Sequence, residues 1–517
     1  MIRDYEQLVE DLKYRGLFSE YLPANFNLVS DSIDIFDIDI RDKSEFIEPI
    51  QFTMSRFTND GQRRLIYIPE VTGYLTLLDY MNQKNIINGL IEISLESENS
   101  FSKIVQQNGV MLRHESNYNY PPTGRENDTV KSTYIDNIVE KINRAKGAKG
   151  ILFIDIANFY GSIYTHIFPA IPLGFESAME QYKIYSSNQQ SSEISDKYRE
   201  YVGLDGKIRM LNGGRTNGLL TGPKVSFMIA EALLTRIDKE LNEQGLKFVR
   251  YMDDYEIFIY DEFSIDKVKS QVTKILSKYY LSLNNEKTEY RNYPYFKLKN
   301  LEKIYQSFTE NTLESSDIIE LFNKFFEMEE EGIKGAVKYL VKTIDDSFET
   351  ENFQLFSSFL INVLVNDNRS LIKVCELLID EKENLEINND FVELIEKLII
   401  QYSDTHKDLE VIWLVYLLKN LDITSINHET INHIVDSGNE LAIIIIMEEF
   451  CSSITEVILT KITATAKSWI LVYQLYLKDY LSEDEFKEKI NIRHNLRFYN
   501  KLKHHRFTFY KCINTDT

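Results

Sequence analysis

Phe248-Val-Arg-Tyr-Met-Asp-Asp-Tyr-Glu-Ile-Phe-Ile-Tyr260 holds an acidic pair, Asp253-Asp254, between two apolar runs. Runs of β-branched and aromatic residues on either side of a short polar break read as the two strands of a hairpin. Adjacent carboxylates repel each other and are costly to hold at the tip of such a hairpin. The pair therefore needs a positive partner, and a divalent metal is the strongest candidate. Well upstream, Gly150-Ile-Leu-Phe-Ile-Asp-Ile-Ala-Asn-Phe-Tyr160 runs another apolar strand straight into Asp155. A lone Asp at a strand end is commonly a cap or turn residue, but a second acidic strand end makes a shared site the better reading. Oxygen ligands of this kind suit Mg2+ or Mn2+, and two such ions about 3.5–4 Å apart stabilise the attacking and leaving oxygens of an in-line displacement.

Working outward, residues 1–300 mix the two periodicities. Arg64–Pro69, Gly150–Ile156, Phe248–Met252 and Tyr255–Tyr260 read as strands, and Thr133–Ala145, Val225–Gln244 and Ile265–Tyr279 as helices. Gly and Pro gather at Pro121-Pro122, Gly213-Gly214 and Gly218 to Pro223, where loops turn sharply or approach a ligand. After residue 300 strand patterns vanish. Helices are expected near 315–329, 332–344, 353–365, 369–381, 390–402, 408–420, 426–436, 440–451, 454–465, 467–478, 483–490 and 495–502. Ser482 and Glu485 have capping-box spacing, and Ser425 and Asn389 are plausible caps. Such a succession predicts antiparallel pairs stacked as a HEAT-like solenoid, with a compact bundle as the alternative. The stretch Arg493–Lys511 is basic and reads as a solvated terminal helix, with a nucleic-acid patch as the competing reading.

The net charge of −22 is unevenly spread: residues 1–300 carry 36 Lys+Arg against 42 Asp+Glu, and residues 301–517 carry 22 against 38. The hairpin's half is thus near balance, and Lys141, Arg144, Lys146 and Lys149 crowd just ahead of the Asp155 strand. This charge argues against extensive tracking of duplex, which needs many phosphate contacts, and leaves nucleotide chemistry open. Cys375, Cys451 and Cys512 make neither a metal spacing nor a disulfide framework. No apolar run reaches the length of a bilayer span, so no membrane association and a cytoplasmic location are expected.

The hairpin Tyr251-Met-Asp-Asp254, together with Asn158-Phe-Tyr-Gly-Ser-Ile-Tyr-Thr-His166, Thr216-Asn-Gly-Leu-Leu-Thr-Gly-Pro223, Ile229-Ala-Glu231 and Tyr14–Phe26, resembles bacterial reverse transcriptases of the abortive-infection group, the AbiK and AbiA type. The resemblance covers roughly residues 12–290. It implies an α+β fingers and palm over 1–300 (fingers about 1–148, palm about 149–300), followed by an all-α helical-repeat domain over 301–517 in place of a thumb. It implies Asp155, Asp253 and Asp254 as catalytic, and the same three with Ile156 as ligands of Mg2+ or Mn2+. Tyr160 would lie under the sugar and exclude a 2′-hydroxyl, making the product DNA; the plain alternative is a core tyrosine. Arg63 and Arg64, on a fingers strand, would grip the triphosphate of a dNTP, unless they are an ordinary exposed strand end. Asn217, Gly218 and Gly222 would bring backbone to the nucleotide. Lys287, in Leu281-Ser-Leu-Asn-Asn-Glu-Lys-Thr288, would contact the triphosphate or protonate pyrophosphate, or be a plain turn lysine. Members of that group are antiphage homo-oligomers that polymerise deoxynucleotides without a template from a protein hydroxyl and keep the single-stranded DNA attached. Most reverse transcriptases have Pro-Gln-Gly where this chain has Leu220-Thr-Gly222, and the glutamine supports the template strand. The alternatives are an RNA-templated reverse transcriptase and a helical binding scaffold with an idle polymerase domain. Thirty-two tyrosines leave the priming hydroxyl open.

Overall fold

The computed structural model describes residues 5–29, 35, 46–55, 63–104, 134–261, 264–295, 301–309, 312–344, 348–491 and 495–513. Its central feature is a four-stranded antiparallel sheet of β4 (Gly150–Asp155), β5 (Phe248–Tyr251), β6 (Asp254–Ile259) and β7 (Glu289–Asn292), in the order β5-β6-β4-β7. The inner strands alternate poorly because both faces of their apolar runs are covered, leaving Ile151, Leu152, Ile154, Ile257 and Ile259 buried. Helix Lys224–Glu243 packs with Ile86–Glu96 and Ile265–Lys278 around that core. Two helices that periodicity did not single out, Phe175–Ser187 and Asp196–Leu211, follow the Asp155 segment.

A separate ribbon, on the segment expected to form the fingers, is a hairpin of β2 (Ile50–Ser55) and β3 (Arg63–Ile68), paired from Ile50 opposite Ile68 to Ser55 opposite Arg63. Gln62 and the Pro121-Pro122 loop lie outside the described residues.

From residue 301 the described chain is helical up to a final strand. Helices Ser315–Glu330, Phe353–Asn366, Asp408–Asn420 and Glu456–Thr465 fall within two residues of the expected spans. Ser482 and Glu485 do form a capping box. The other two caps shift: Asn388, not Asn389, accepts from the Phe391 amide, and Asn427, not Ser425, starts helix His428–Ser437. Alternate helices pack together in two rows. One runs from Asn389–Asp404 through His428–Ser437 to Glu456–Thr465, the other from Leu371–Asp380 through Asp408–Asn420 and Glu440–Glu449 to Trp469–Leu477. The last three helices of the second row are buried nearly all round, including the entire run Leu441–Met447, because they are enclosed on both sides. Among the described residues no helix is long and apolar enough to cross a membrane, and the three cysteines are free.

The basic stretch near the C-terminus departs from the solvated helix expected of it. Helix Leu496–His504 buries Phe498, Tyr499 and Leu502, and the chain then forms β8 (Thr508–Tyr510), which pairs antiparallel with β1 (Phe26–Val29). Its contacts run to the fingers: Asn495 donates to Thr72 at 2.8 Å and the Tyr499 hydroxyl bonds Glu70. Further along the same seam, Trp413 Nε1 donates to the Tyr21 carbonyl at 2.7 Å and Asp408 accepts from the Thr53 amide at 2.8 Å. The helical rows, the β2–β3 ribbon and the central sheet share one continuous core.

Candidate active site

The register of the central sheet sets Asp155, the last residue of β4, directly opposite Asp254, the first of β6. Directly paired residues on neighbouring antiparallel strands bring their Cβ atoms within about 5.5 Å, so the two carboxylates share one edge of the sheet. Asp253 belongs to the two-residue turn between β5 and β6. Met252, its neighbour in that turn, has φ 55°, the left-handed region a side chain rarely adopts.

Two of the three carboxylates have their proton affinity raised by burial and by their neighbours. Burial and then Asp253 and Asp155 push Asp254 up to about 6. Burial also raises Asp253, with Asp155 adding to it and Arg64 and Lys287 opposing. Asp155 is held differently. Its Oδ1 pairs with Lys287 Nζ at 3.1 Å, its Oδ2 accepts from Asn284 Nδ2 at 2.9 Å, and its carbonyl accepts from the Asn284 amide at 2.8 Å. Asn284 is thus a site residue that sequence reading passed over, although it lies in the same Leu281–Thr288 segment. Ile156 is buried and bridges Leu283, leaving only its main chain to face a cation.

The donor set fits a hard divalent cation: every candidate ligand is oxygen, and the carboxylates crowd one another with Lys287 and Arg64 as the cations acting on them. Among the described residues no three His, Cys, Asp or Glu side chains are gathered as a metal cluster, consistent with Asp155 being turned to Lys287 and Asn284.

Tyr160 lies on the short helix Phe159–Ser162 that follows Asn158, itself left-handed at φ 44°. Burial raises its hydroxyl well above the usual phenol range, and the charge of Asp253 adds to the shift. The loop after Gly213-Gly214 is stitched to this helix and to the fingers. The Gly218 amide donates to Ile163 O and the Leu219 amide to Tyr160 O, each at 2.8 Å, while Thr221 O accepts from the Tyr67 amide of β3 at 2.8 Å. At Gly222, with φ 132°, a Cβ would sit 2.5 Å from the Tyr67 carbonyl oxygen, so only glycine lets loop and fingers strand meet. Asn217 is exposed, bridges Tyr164 and, with Gly218, accepts from the Asn212 side chain.

The two fingers arginines part company. Arg64 is exposed and its charge reaches Asp253. Arg63 turns the other way: its guanidinium forms a two-pronged pair with Glu410 on helix Asp408–Asn420, through Nη1 to Oε1 at 3.0 Å and Nη2 to Oε2, and its Nε donates to Thr53 at 3.1 Å. The structure therefore does not bring Arg63 to the site as expected. Its register, one residue from Arg64 on a strand of period two, puts it on the opposite face.

Beneath the turn lies a second group missed by sequence reading. Arg250, fully buried, is enclosed by Glu231 and Asp238 of helix Lys224–Glu243 and by Ser97, Ser100 and Ser102 around them. Three serines within Ser97-Glu-Asn-Ser-Phe-Ser102 were the available signal.

With this geometry in place, residues 99–302 match the family model for reverse transcriptase (RNA-dependent DNA polymerase). The chain carries a reverse transcriptase domain. It is an enzyme of the nucleotidyltransferase class, and reverse transcriptase domains generally use divalent metal ions, dNTPs and nucleic acid. The match contains Asp155, Tyr160, the Gly218–Gly222 loop, Asp253, Asp254 and Lys287, and stops short of the fingers arginines and the helical rows. Among solved structures the chain is similar to telomerase from Candida albicans in complex with a TWJ fragment of telomeric RNA. The identity is 12% and the TM-score 0.29, over 80% of this chain and 70% of that one. No curated protein sequence matches the chain.

Proposed function

We propose that this reverse transcriptase domain makes DNA without a template, extending a hydroxyl of the protein itself, and that the chain acts in antiphage defence by abortive infection as a homo-oligomer. The observation that carries the chemical part is the pairing of Asp155 with Asp254 across β4 and β6, with Asp253 in the adjoining turn. In this reading Asp155, Asp253, Asp254 and the main chain of Ile156 hold Mg2+ or Mn2+, which supplies charge stabilisation at the reacting phosphate when bound. Tyr160 excludes a ribose 2′-hydroxyl. Arg64 and Lys287 face the triphosphate, and the Asn217–Gly222 backbone lines the nucleotide's other side.

Template independence is supported by the Leu220-Thr221-Gly222 segment. It lacks the amide side chain that would brace a template strand, and its Thr221 carbonyl is already committed to the fingers. The acidic charge of residues 301–517 also disfavours a bound duplex. The two rows of alternating helices support the HEAT-like reading of residues 301–517.

The test is incubation of purified protein with labelled dNTPs and Mg2+ alone. The expected result is label that co-migrates with denatured protein, survives RNase and is released by DNase. Strict dependence on added RNA would instead establish an RNA-templated reverse transcriptase. If Asp253→Asn together with Asp254→Asn left phage resistance intact, the helical rows acting as a scaffold would be the function.

A further inference from the structure

The turn that carries Asp253 is held by its neighbour. Met252 has both main-chain polar groups captured by buried side chains from different parts of the chain. Its amide donates to Ser102 Oγ at 2.8 Å, and its carbonyl accepts from Arg250 Nη1 at 3.0 Å. A residue with a side chain does not rest at φ 55° unless its surroundings over-determine it, and here both ends of the residue are fixed.

The fixing groups are themselves fixed. A guanidinium has five N–H donors in a rigid fork, and Arg250 uses all of them. Nε and one Nη2 hydrogen go to Asp238 (2.9 and 2.7 Å), the other Nη2 hydrogen and one on Nη1 go to Glu231 (3.0 and 2.8 Å), and the last goes to Met252. Glu231 and Asp238 are seven residues apart, two turns along one helix face. Glu231 also accepts from Ser100 at 2.6 Å and from Ser102 at 3.1 Å, and Asp238 from Ser97 at 2.7 Å and from the Tyr255 hydroxyl at 3.1 Å. Ser102 is therefore the joint between the ion cluster and the turn.

A network this complete exceeds what stability requires, since a buried charge cluster is commonly no more stabilising than a well-packed apolar one. What it does provide is direction: it sets the Met252 backbone, and with it the line along which Asp253 leaves the sheet. We propose that Ser102, Glu231, Asp238 and Arg250 are positioning residues for Asp253, with Ser102 the one that transmits the cluster's geometry to the turn. The proposal rests on the reading of Asp253 as a metal-holding carboxylate given above.

Ser102→Ala removes one hydroxyl and leaves the Arg250 cluster in place. Groups that orient a ligating side chain change metal affinity by about 10–100-fold when removed. The expected result is a Mn2+ dissociation constant, read from the EPR signal of free ion without nucleotide, that weakens about tenfold. The kcat for dNTP addition falls by a similar factor and KM stays within about twofold, while the melting temperature falls by about 1–3 °C, the cost of one lost buried hydrogen bond in a chain of this size. Ser102→Thr, which keeps the hydroxyl, restores both. Wild-type Mn2+ affinity and kcat in the folded fraction of Ser102→Ala overturn the proposal, whatever its melting temperature. Asp253→Asn separates the two readings: if it too binds Mn2+ normally, the site itself is misassigned, whereas weakened binding there with normal binding in Ser102→Ala rejects the clamp alone.

Discussion

Arg63 and Arg64 stand side by side in the sequence, and their separate fates in the fold give the sharpest test of the site. Arg63→Gln breaks the two-pronged pair with Glu410, whose side chain is 3% exposed against 19% for Arg63. Removing one partner of a buried pair strands the other charge at a cost of about 3–5 kcal/mol. Because Arg63 keeps some water contact, the figure is discounted here to roughly 2 kcal/mol. Because the helical rows share one core with the rest of the chain, this lowers the melting temperature by only about 2 °C. Glu410→Gln with Arg63→Gln should recover part of that loss, giving an interaction energy on the order of 1 kcal/mol or more in the double-mutant cycle. The KM for dNTP should not change in either variant. Arg64→Gln should do the reverse: little effect on melting, and a KM raised about tenfold or more, the worth of one charge-assisted bond to phosphate. Differential scanning fluorimetry and steady-state incorporation kinetics on the four variants suffice. An Arg63→Gln protein that melts normally and loses dNTP affinity would refute the reasoning.

Three further outcomes are expected. Tyr160→Ala opens space beside Asp253, and the preference for dNTP over rNTP in competition assays should fall by about 10–200-fold, the range set by pocket-size discrimination; unchanged preference removes Tyr160 from the sugar site. Gly222→Ala forces a Cβ against the Tyr67 carbonyl, and the strain, on the order of 1–3 kcal/mol, should appear as slower incorporation and faster hydrogen exchange at the Tyr67 amide. Glu376 is raised from its ordinary value to about 7, burial being the main cause. A carboxyl whose folded pKa is raised contributes stability present below its unfolded value and lost as pH climbs through 7. Urea unfolding should therefore show stability falling by up to about 3 kcal/mol between pH 4.5 and 7, and Glu376→Gln should flatten that slope.

Much of the central sheet could be read from the chain because its information is local. Apolar runs ending in Asp155 and beginning after Asp253 fix both the strands and their polarity, and the register then brings the carboxylates together. The helices after residue 300 were legible for the same reason, since a 3.6-residue period is a property of ten consecutive residues. What could not be read depends on distant partners. Nothing near Arg63 foretells Glu410, 347 positions away. Arg250 reads as one more strand residue until Glu231 and Asp238 close on it. The Thr508–Tyr510 strand has no sheet of its own and exists because β1 waits for it. The boundary expected at residue 300 marks a change of secondary structure, but no gap in the core.

That last pairing has a consequence for biosynthesis. Translation at about 5–20 residues per second delivers β8 some 25–100 s after β1 has left the ribosome, since the two lie about 480 positions apart. Throughout that interval the Phe26–Val29 edge has no mate, and the neighbouring segment that supplies Gly16 O to the Lys224 amide lacks its backing. The strand pair is thus completed in one late step that joins segments far apart in the sequence.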